Sequence, residues 1–487
     1  MPSYSKRQSL QNIMKKYISL TLILAITFSC SDKIEKVNFN FTISEPCMIL
    51  NYELDNTVEG NYILTEEFLD NDSSLIIKNL KKLSLDSLSI ENWVIGWGSN
   101  KPLFDAGVEN IRQIKKIDFD KNKIFLGKLI RGTGFPEKKQ RVVLWNTAPS
   151  GFKNHLKKPI INPKIWPQFS GESIGFSSIE YDSLLRKWVM IVNEVDISKI
   201  QIYAAVSDDL VNWDAANEGA PILSVSDFKN CIWAGIDKSG KNKQTPFVSD
   251  IVRNNNIWYL FLDGYSSDGK RHIGMATSKT SLIGPFEISK NPILSPGRKG
   301  DWNDESVFYA KVKKYKDGFI MFYDGRNSKG YERVGMAFSN DLTSWTNSDN
   351  NPVLDQHYGW RSSVGCSEPN YIEIRGDSIF LMVAGVKKFK MGAWHHYITK
   401  RMYLDKSGNV DDAQLGVYLS TDGGNTFNPH INNPIFVNDY SNKYENEHMG
   451  GNFKLIQTDT AEFIIYQAKS SYEGLKYNIL LRMRKKK

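Results

Sequence analysis

The sequence predicts an all-β chain: a β-propeller of five blades, or six if a degenerate first unit counts, with a small N-terminal β-rich appendage. Two observations carry this. First, a phrase recurs along most of the chain: Asn-Pro-Ile-Leu, a polar loop, three strand-like runs, then Ser-x-Asp-x-x-x-Trp. Its fullest copy runs Asn291-Pro292-Ile293-Leu294, Asp304-Glu305-Ser306-Val307, Gly318 to Tyr323, Val334-Gly335-Met336-Ala337 and Ser339-Asn340-Asp341-Leu342-Thr343-Ser344-Trp345. The next copy opens at once with Asn351-Pro352-Val353-Leu354. A period of roughly 60–80 residues suits one four-stranded blade per unit. Second, the chain holds 12 Trp, 22 Tyr and 25 Phe, enough to fill the layers between blades and leave some rings to face sugars.

Residues 1–29 read as a lipoprotein signal peptide. Lys15-Lys16 precede a short apolar run, Tyr17 to Phe28, too short for a stable membrane span. Thr27-Phe28-Ser29-Cys30 resembles a bacterial lipobox, and Met14-Lys15-Lys16 is a compact signal opening. Acylated Cys30 would tether the mature protein by lipid alone, outside the cytoplasm, at the outer membrane or cell surface. Residues 30–95 form a tether and β-rich lead-in, with Val37 to Ile43 alternating as a half-buried strand. The propeller is assigned to 96–487.

Its units follow in order. A degenerate first unit has Ile111 to Ile114, Lys123 to Leu126 and Val142 to Trp145. The second carries Trp188 to Val192 and the closing phrase Ser207 to Trp213. The third has Trp258 to Leu262 and His272 to Ala276, and the fourth is the copy quoted above. The fifth has Ile379 to Val383 and ends at Asn433-Pro434-Ile435-Phe436, and the last has Phe463 to Tyr466 and Tyr477 to Leu481. The Asp of each closing phrase suits a tight turn, where it accepts from backbone N–H groups while the aromatic packs between sheets.

Several function classes are excluded or disfavoured. The net charge of +8 lies partly at the two ends, and no nucleic-acid motif accompanies it. Cysteines at 30, 47, 231 and 366 make neither a CxxC pair nor a disulfide framework. No metal spacing, phosphate loop or GxSxG is present, so no metal or cofactor is expected. Oligomeric state is not legible.

Aligning the units on Trp188, Trp258, Phe319 and Ile379 places acids near the start of the innermost strands: Glu172, Asp304 with Glu305, and Glu368. The third unit departs, with Gln244-Thr245-Pro246 there and Asp250 further along. In a propeller such positions face one axial funnel, and two or three converging carboxylates can hydrolyse a glycosidic bond. One stays protonated to donate to the leaving oxygen, another ionises to activate water or attack, and a third tunes the acid. Glu368, beside Pro369 and after a loop with His357, Trp360 and Arg361, is the favoured acid. The bland alternative is that these acids bind turn N–H groups. Arg112, His272, Arg333, Trp360 and Arg361 are candidate substrate contacts, and Trp233, Trp302 and Trp394 candidate sugar platforms.

These motifs resemble those of glycoside hydrolase families 43, 32, 117 and 130 over about residues 150–487. The resemblance implies a five-bladed propeller with an axial trio of acids, and Glu368-Pro369 is similar to the acid-bearing Glu-x-Pro segment of family 43. No single family is indicated, because the chain has neither Trp-x-Asn-Asp-Pro-Asn nor an Asp-Pro opening the first blade. Ser420 to Phe427 resembles the Asp box of sialidase-type propellers, and Asn110 to Ile114 their Arg-Ile-Pro segment. A sialidase would clamp a carboxylate with three arginines, for which Arg112, Arg271, Arg333 and Arg361 are candidates. The function expected is therefore glycosidase action on an extracytoplasmic oligo- or polysaccharide, by inversion as the resemblance implies. The alternatives are a non-catalytic glycan- or protein-binding propeller and a sialidase-like exo-glycosidase.

Overall fold

The computed structural model describes residues 152–486, apart from short stretches of which the longest are 236–245, 356–364, 391–408 and 430–435. Before residue 152 it describes strand backbone only. The signal segment, Cys30, Glu172, Trp360, Arg361 and Trp394 lie outside the described residues, and Arg112 is described only as strand backbone.

Strands dominate. The early ones are β1 (Leu54–Asp55), β2 (Gly60–Leu64), β3 (Trp93–Gly98), β4 (Asn110–Gln113), β5 (Lys116–Asp118), β6 (Lys123–Leu129) and β7 (Lys139–Asn146), followed by β8 (Lys153–Asn154). Strands β1, β7, β3 and β4 form one sheet and β2, β6 and β5 another. The runs read as a degenerate first unit, β4, β6 and β7, are thus divided between two sheets. They are not one copy of the repeat.

From residue 173 the repeat takes over. The first sheet holds β9 (Ser173–Asp182), β10 (Lys187–Val195), β11 (Ile202–Ser207) and β12 (Asp214–Ala215). The second holds β13 (Phe247–Asn254), β14 (Ile257–Tyr265), β15 (Arg271–Ser278) and β16 (Glu287–Ile288). The third holds β17 (Ser306–Tyr315), β18 (Gly318–Arg326), β19 (Glu332–Ser339) and β20 (Thr346–Asn347). The fourth holds β21 (Gly365–Arg375), β22 (Ser378–Lys390), β23 (Asn409–Ser420) and β24 (Asn428–Pro429). In the fifth, β25 (His448–Gln457), β26 (Ala461–Ser470) and β27 (Lys476–Lys485) are completed by β8, which comes from before the first sheet. Each sheet is antiparallel, and the first four are meanders.

The first strands meet in a closed cycle: β9 touches β13, β13 touches β17, β17 touches β21, β21 touches β25, and β25 returns to β9. This is the ring of a propeller, with the first strands innermost. Single parallel steps, Arg271 with Ser306 and Glu332 with Gly365, join neighbouring sheets near the start of those strands.

The recurring phrases have identifiable tasks. Trp188, Trp258, Phe319 and Ile379 each pair with the Ser that opens a closing turn: Ser207, Ser278, Ser339 and Ser420. Leu223, Leu294, Leu354 and Phe436, which end the Pro-Ile-Leu phrases, each bridge the third strand of their sheet. The phrase therefore pins the exit of one blade before the chain enters the next. Second strands read as unbroken apolar runs because both faces are covered, as from Phe319 to Tyr323, all buried. Apolar layers fill the spaces between sheets. Ile191, Leu260 and Trp233 lie between the first and second, and Phe322, Val334 and Leu381 between the third and fourth.

Candidate active site

The site grows out of one irregularity repeated around the axis. Every first strand begins to break register in its first half: between Phe176 and Ser178, Val248 and Asp250, Phe308 and Lys311, Ser367 and Tyr371, and Met449 and Phe453. Bulges add a residue, bend the strand and re-aim side chains, and they concentrate beside active sites. In register, Val248, Tyr309 and Glu368 occupy the same step of successive strands.

A clasp from the preceding sheet holds each of these three. Val248 N–H donates to Asn193 Oδ1 (3.0 Å), Tyr309 N–H to Asp263 Oδ2 (3.1 Å) and Glu368 N–H to Asp324 Oδ2 (2.8 Å). Asn193, Asp263 and Asp324 are themselves equivalent, late in the second strands. Tyr309 and Glu368 lie in the left-handed region at φ 52° and 55°, conformations that cost energy for side-chain-bearing residues and persist where surrounding bonds enforce them. The clasp supplies that enforcement.

Charge gathers around the last two clasps. Asp263 is buried and accepts from Arg271 Nε at 2.7 Å. The Arg271 guanidinium lies over Phe308 (4.5 Å) and Tyr309 (5.1 Å). Burial raises the Asp263 carboxyl, while Arg271 pulls the other way. Asp324 is fully buried, and its Oδ1 has no hydrogen-bond partner among the described residues. Burial, then the charge of Glu332, hold its carboxyl well above the usual carboxylate range, and Glu368 adds to the effect. Glu332 pairs with Arg326 Nε at 3.0 Å across neighbouring strands. The Tyr309 and Tyr477 phenols are raised by burial, and the Glu368 charge adds to both. Glu368, half-buried, therefore interacts with Asp324 of β18, Tyr309 of β17 and Tyr477 of β27.

The other expected site residues fare differently. Asp304 spends both oxygens on loop amides, accepting from Ser328 N–H (2.7 Å) and Gly300 N–H (2.8 Å), and these bonds hold its carboxyl low. It ties the loop before β17 to the turn after β18, which is the bland alternative for these acids. Glu305 is half-buried at the entry to β17, where its N–H donates to Arg326 O at 3.0 Å. It stands three residues before Phe308, as Glu172 stands three before Gly175, and those two residues are equivalent in register.

Trp233 corrects an expectation. It is fully buried, its indole N–H donates to Ser289 O at 2.8 Å, and its ring lies where a Cβ on Gly274 would be, 2.2 Å away. It is a core residue and not a sugar platform. Trp302 does the same in the third sheet, over Gly325 and Gly335, but stays half-buried, beside Tyr323. His272 sits between Ser266 Oγ (2.9 Å) and Ser295 Oγ (3.1 Å), bracing a loop. Arg333 pairs with Asp355. With Arg271 turned inward to Asp263 and Arg333 engaged by Asp355, these two described arginines of the sialidase-like clamp are already paired with carboxylates.

Sequence reasoning missed Asp263 and Asp324. Their signal is visible in hindsight: Phe261-Leu262-Asp263-Gly264 and Phe322-Tyr323-Asp324-Gly325 each place one acid inside an otherwise apolar strand. The adjacent glycines lie close to Ala234 and Pro246 in one case and to Trp302 in the other.

No protein-family model and no curated protein matches the sequence. Among solved structures, the chain is similar to a thermostable family-43 glycoside hydrolase, at 14% identity over 65% of this chain and 94% of that one, TM-score 0.45. It is similar to a protein described under a family 130 of mannoside phosphorylases containing glycoside hydrolases that target β-1,2 mannosidic linkages in Candida mannan, at 15% identity over 70% and 94%, TM-score 0.46. A third is a family 117 glycoside hydrolase from the marine bacterium Zobellia galactanivorans, at 13% identity over 68% and 89%, TM-score 0.43.

Proposed function

We propose that this protein is a glycoside hydrolase whose reacting carboxyl is Glu368. One observation carries the reading. A bulge holds Glu368 in a left-handed conformation at the axis, with its N–H fixed by the buried carboxyl of Asp324. Strain of this kind belongs where a side chain must be aimed. A second carboxyl close to the reacting one is also part of the arrangement that acid–base chemistry on a glycosidic oxygen uses. In this reading Glu368 donates its proton to the leaving oxygen. Asp324 positions it and shares its proton demand. Glu305 and Glu172, at equivalent strand entries, are the candidates to activate water. The phenols of Tyr309 and Tyr477, held protonated by burial, border the Glu368 carboxyl.

The test is hydrolysis of a panel of plant, algal and host glycans by wild type and Glu368→Gln. Loss of general acid catalysis is expected to lower kcat/KM on the accepted glycan by roughly 10²–10⁴-fold, with the melting temperature little changed. Full activity in the variant would remove Glu368 from the mechanism. A wild type that binds but cleaves none of the panel would favour a carbohydrate-binding propeller. Proton NMR of the first-formed anomer reads inversion directly.

A further inference from the structure

Lys311 follows the bulge of β17, and its ammonium is buried. It donates to Ser177 O at 3.1 Å, to Ser249 O and to Asn452 Oδ1. These acceptors lie in the bulges of the first, second and fifth sheets. Asn452 in turn donates to Phe176 O. The first strands also border a cavity of about 310 Å³, lined by Glu180, Asp250, Lys311, Lys313, Asn370 and Lys454 among others. Glu368 belongs to the fourth bulge, and its charge acts on Lys311.

We propose that Lys311 is a positioning residue of this site: its ammonium ties the bulges of three other sheets into one ring and sets a positive charge within reach of the Glu368 carboxyl. The proposal rests on the reading of Glu368 as the reacting group. Three acceptors from three different strands satisfy all three donors of an ammonium, so the charge is fixed in place rather than free to swing. The charges that act on it are those of Asp250 on β13, Glu368 on β21, Lys454 on β25 and Lys313 on its own strand, and Asp263 on β14 also feels its charge. Glu180 on β9 is engaged by Lys454. Burial pushes the Lys311 ammonium down to about 8, against the pull of Asp250 and Glu368. A charge that favours ionised Glu368 is thus present at neutral pH and is withdrawn above about pH 8.

The coupling is reciprocal, so it can be measured from both ends without turnover. In protein labelled at the Glu carboxyl carbon, with Glu368→Gln identifying the resonance, Lys311→Met is expected to raise the Glu368 titration midpoint by about half a pH unit or more. In protein labelled at lysine Cε, Glu368→Gln is expected to lower the Lys311 midpoint by a comparable amount. The second measurement stands even if Lys311→Met does not fold. An unmoved midpoint in either folded variant overturns the proposal. If both midpoints move but no glycan is cleaved by wild type, the coupling holds and the glycosidase reading fails. With activity in hand, the alkaline limb of the kcat/KM profile is expected to shift upward in Lys311→Met, which a purely structural brace would not produce.

Discussion

At the scale of single residues, Asp324 is the most exposed to test. Its carboxyl is fully buried, raised above the usual range by burial and the Glu332 charge, and useful chiefly as an acceptor for Glu368 N–H. The sign of its pH effect follows. A raised carboxyl binds a proton in the folded state that the unfolded chain releases near pH 4, so its contribution to stability falls as pH rises from about 4 towards the folded value. Asparagine keeps the acceptor and does not titrate. Asp324→Asn is therefore expected to gain on wild type in melting temperature as pH is raised from 4 to 7, by several degrees, with the gap closing at pH 4 and below. Two melting curves that run parallel across this range would show that Asp324 is not held protonated. Glu368 differs from Asp324 in being half-buried, so a single backbone bond joins a carboxyl inside the cluster to the residue that carries one nearer its surface.

At the scale of elements, the closing turn explains why the repeat was legible. Ser339 Oγ accepts from Leu342 N–H (2.9 Å), and Asp341 Oδ1 accepts from Thr343 and Ser344 N–H (both 2.8 Å). Trp345 then donates back to Leu342 O (2.9 Å). Ser207, Asp209 and Trp213 repeat the arrangement, with Leu210 and Leu342 both left-handed, at φ 67° and 68°. Such turns need particular side chains at fixed offsets, so they leave a mark in sequence. The Ser344 amide, with that of Thr343, holds the Asp341 carboxyl at about 2. Asp341→Ala is expected to cost about 1 kcal/mol, the net worth of a hydrogen bond, measured by urea unfolding at neutral pH. The loss should shrink as pH falls from about 4 towards 2, because protonation weakens the wild-type turn in that window. An unchanged midpoint would make the turn incidental. The site was less legible for a related reason. Counting strand entries from the repeat set Glu368 beside Glu172 and Glu305, whereas in register it shares its step with Tyr309, because bulges carry no side-chain signature. The clasping acids sit in second strands, where burial rather than turn chemistry makes them unusual. Asp304 was misread because an acid at a strand entry and an acid tying a loop look alike until its partners, Gly300 and Ser328, are known.

At the scale of the whole molecule, the ring is closed by strands far apart in sequence. Strand β27 pairs with β8 through Arg482 with Asn154 and Met483 with Lys153. Ile160 N–H donates to Ile479 O (2.9 Å), and Tyr477 N–H to Ser173 Oγ (3.1 Å). Within the same sheet Glu445, Tyr466 and Arg482 form a buried cluster in which Tyr466 O–H donates to Glu445 Oε2 at 2.8 Å. Ile479 and Leu481 are buried in the apolar layer between the first and fifth sheets. A linear stack of repeats would tolerate loss of an end unit, since each unit contacts only its neighbours. A ring would not: without β27 both the fifth and the first sheet lose their covering layer. A chain ending at Ser470 is therefore expected to lose its cooperative thermal transition and to bind a hydrophobic dye, while Ile479→Ala in the full chain is expected to cost about 2–5 kcal/mol. Retention of a sharp melt in the shortened chain would mean that the first four sheets are stable as an open array. In that case closure, which brings Tyr477 on β27 to Glu368, would serve the site rather than the fold.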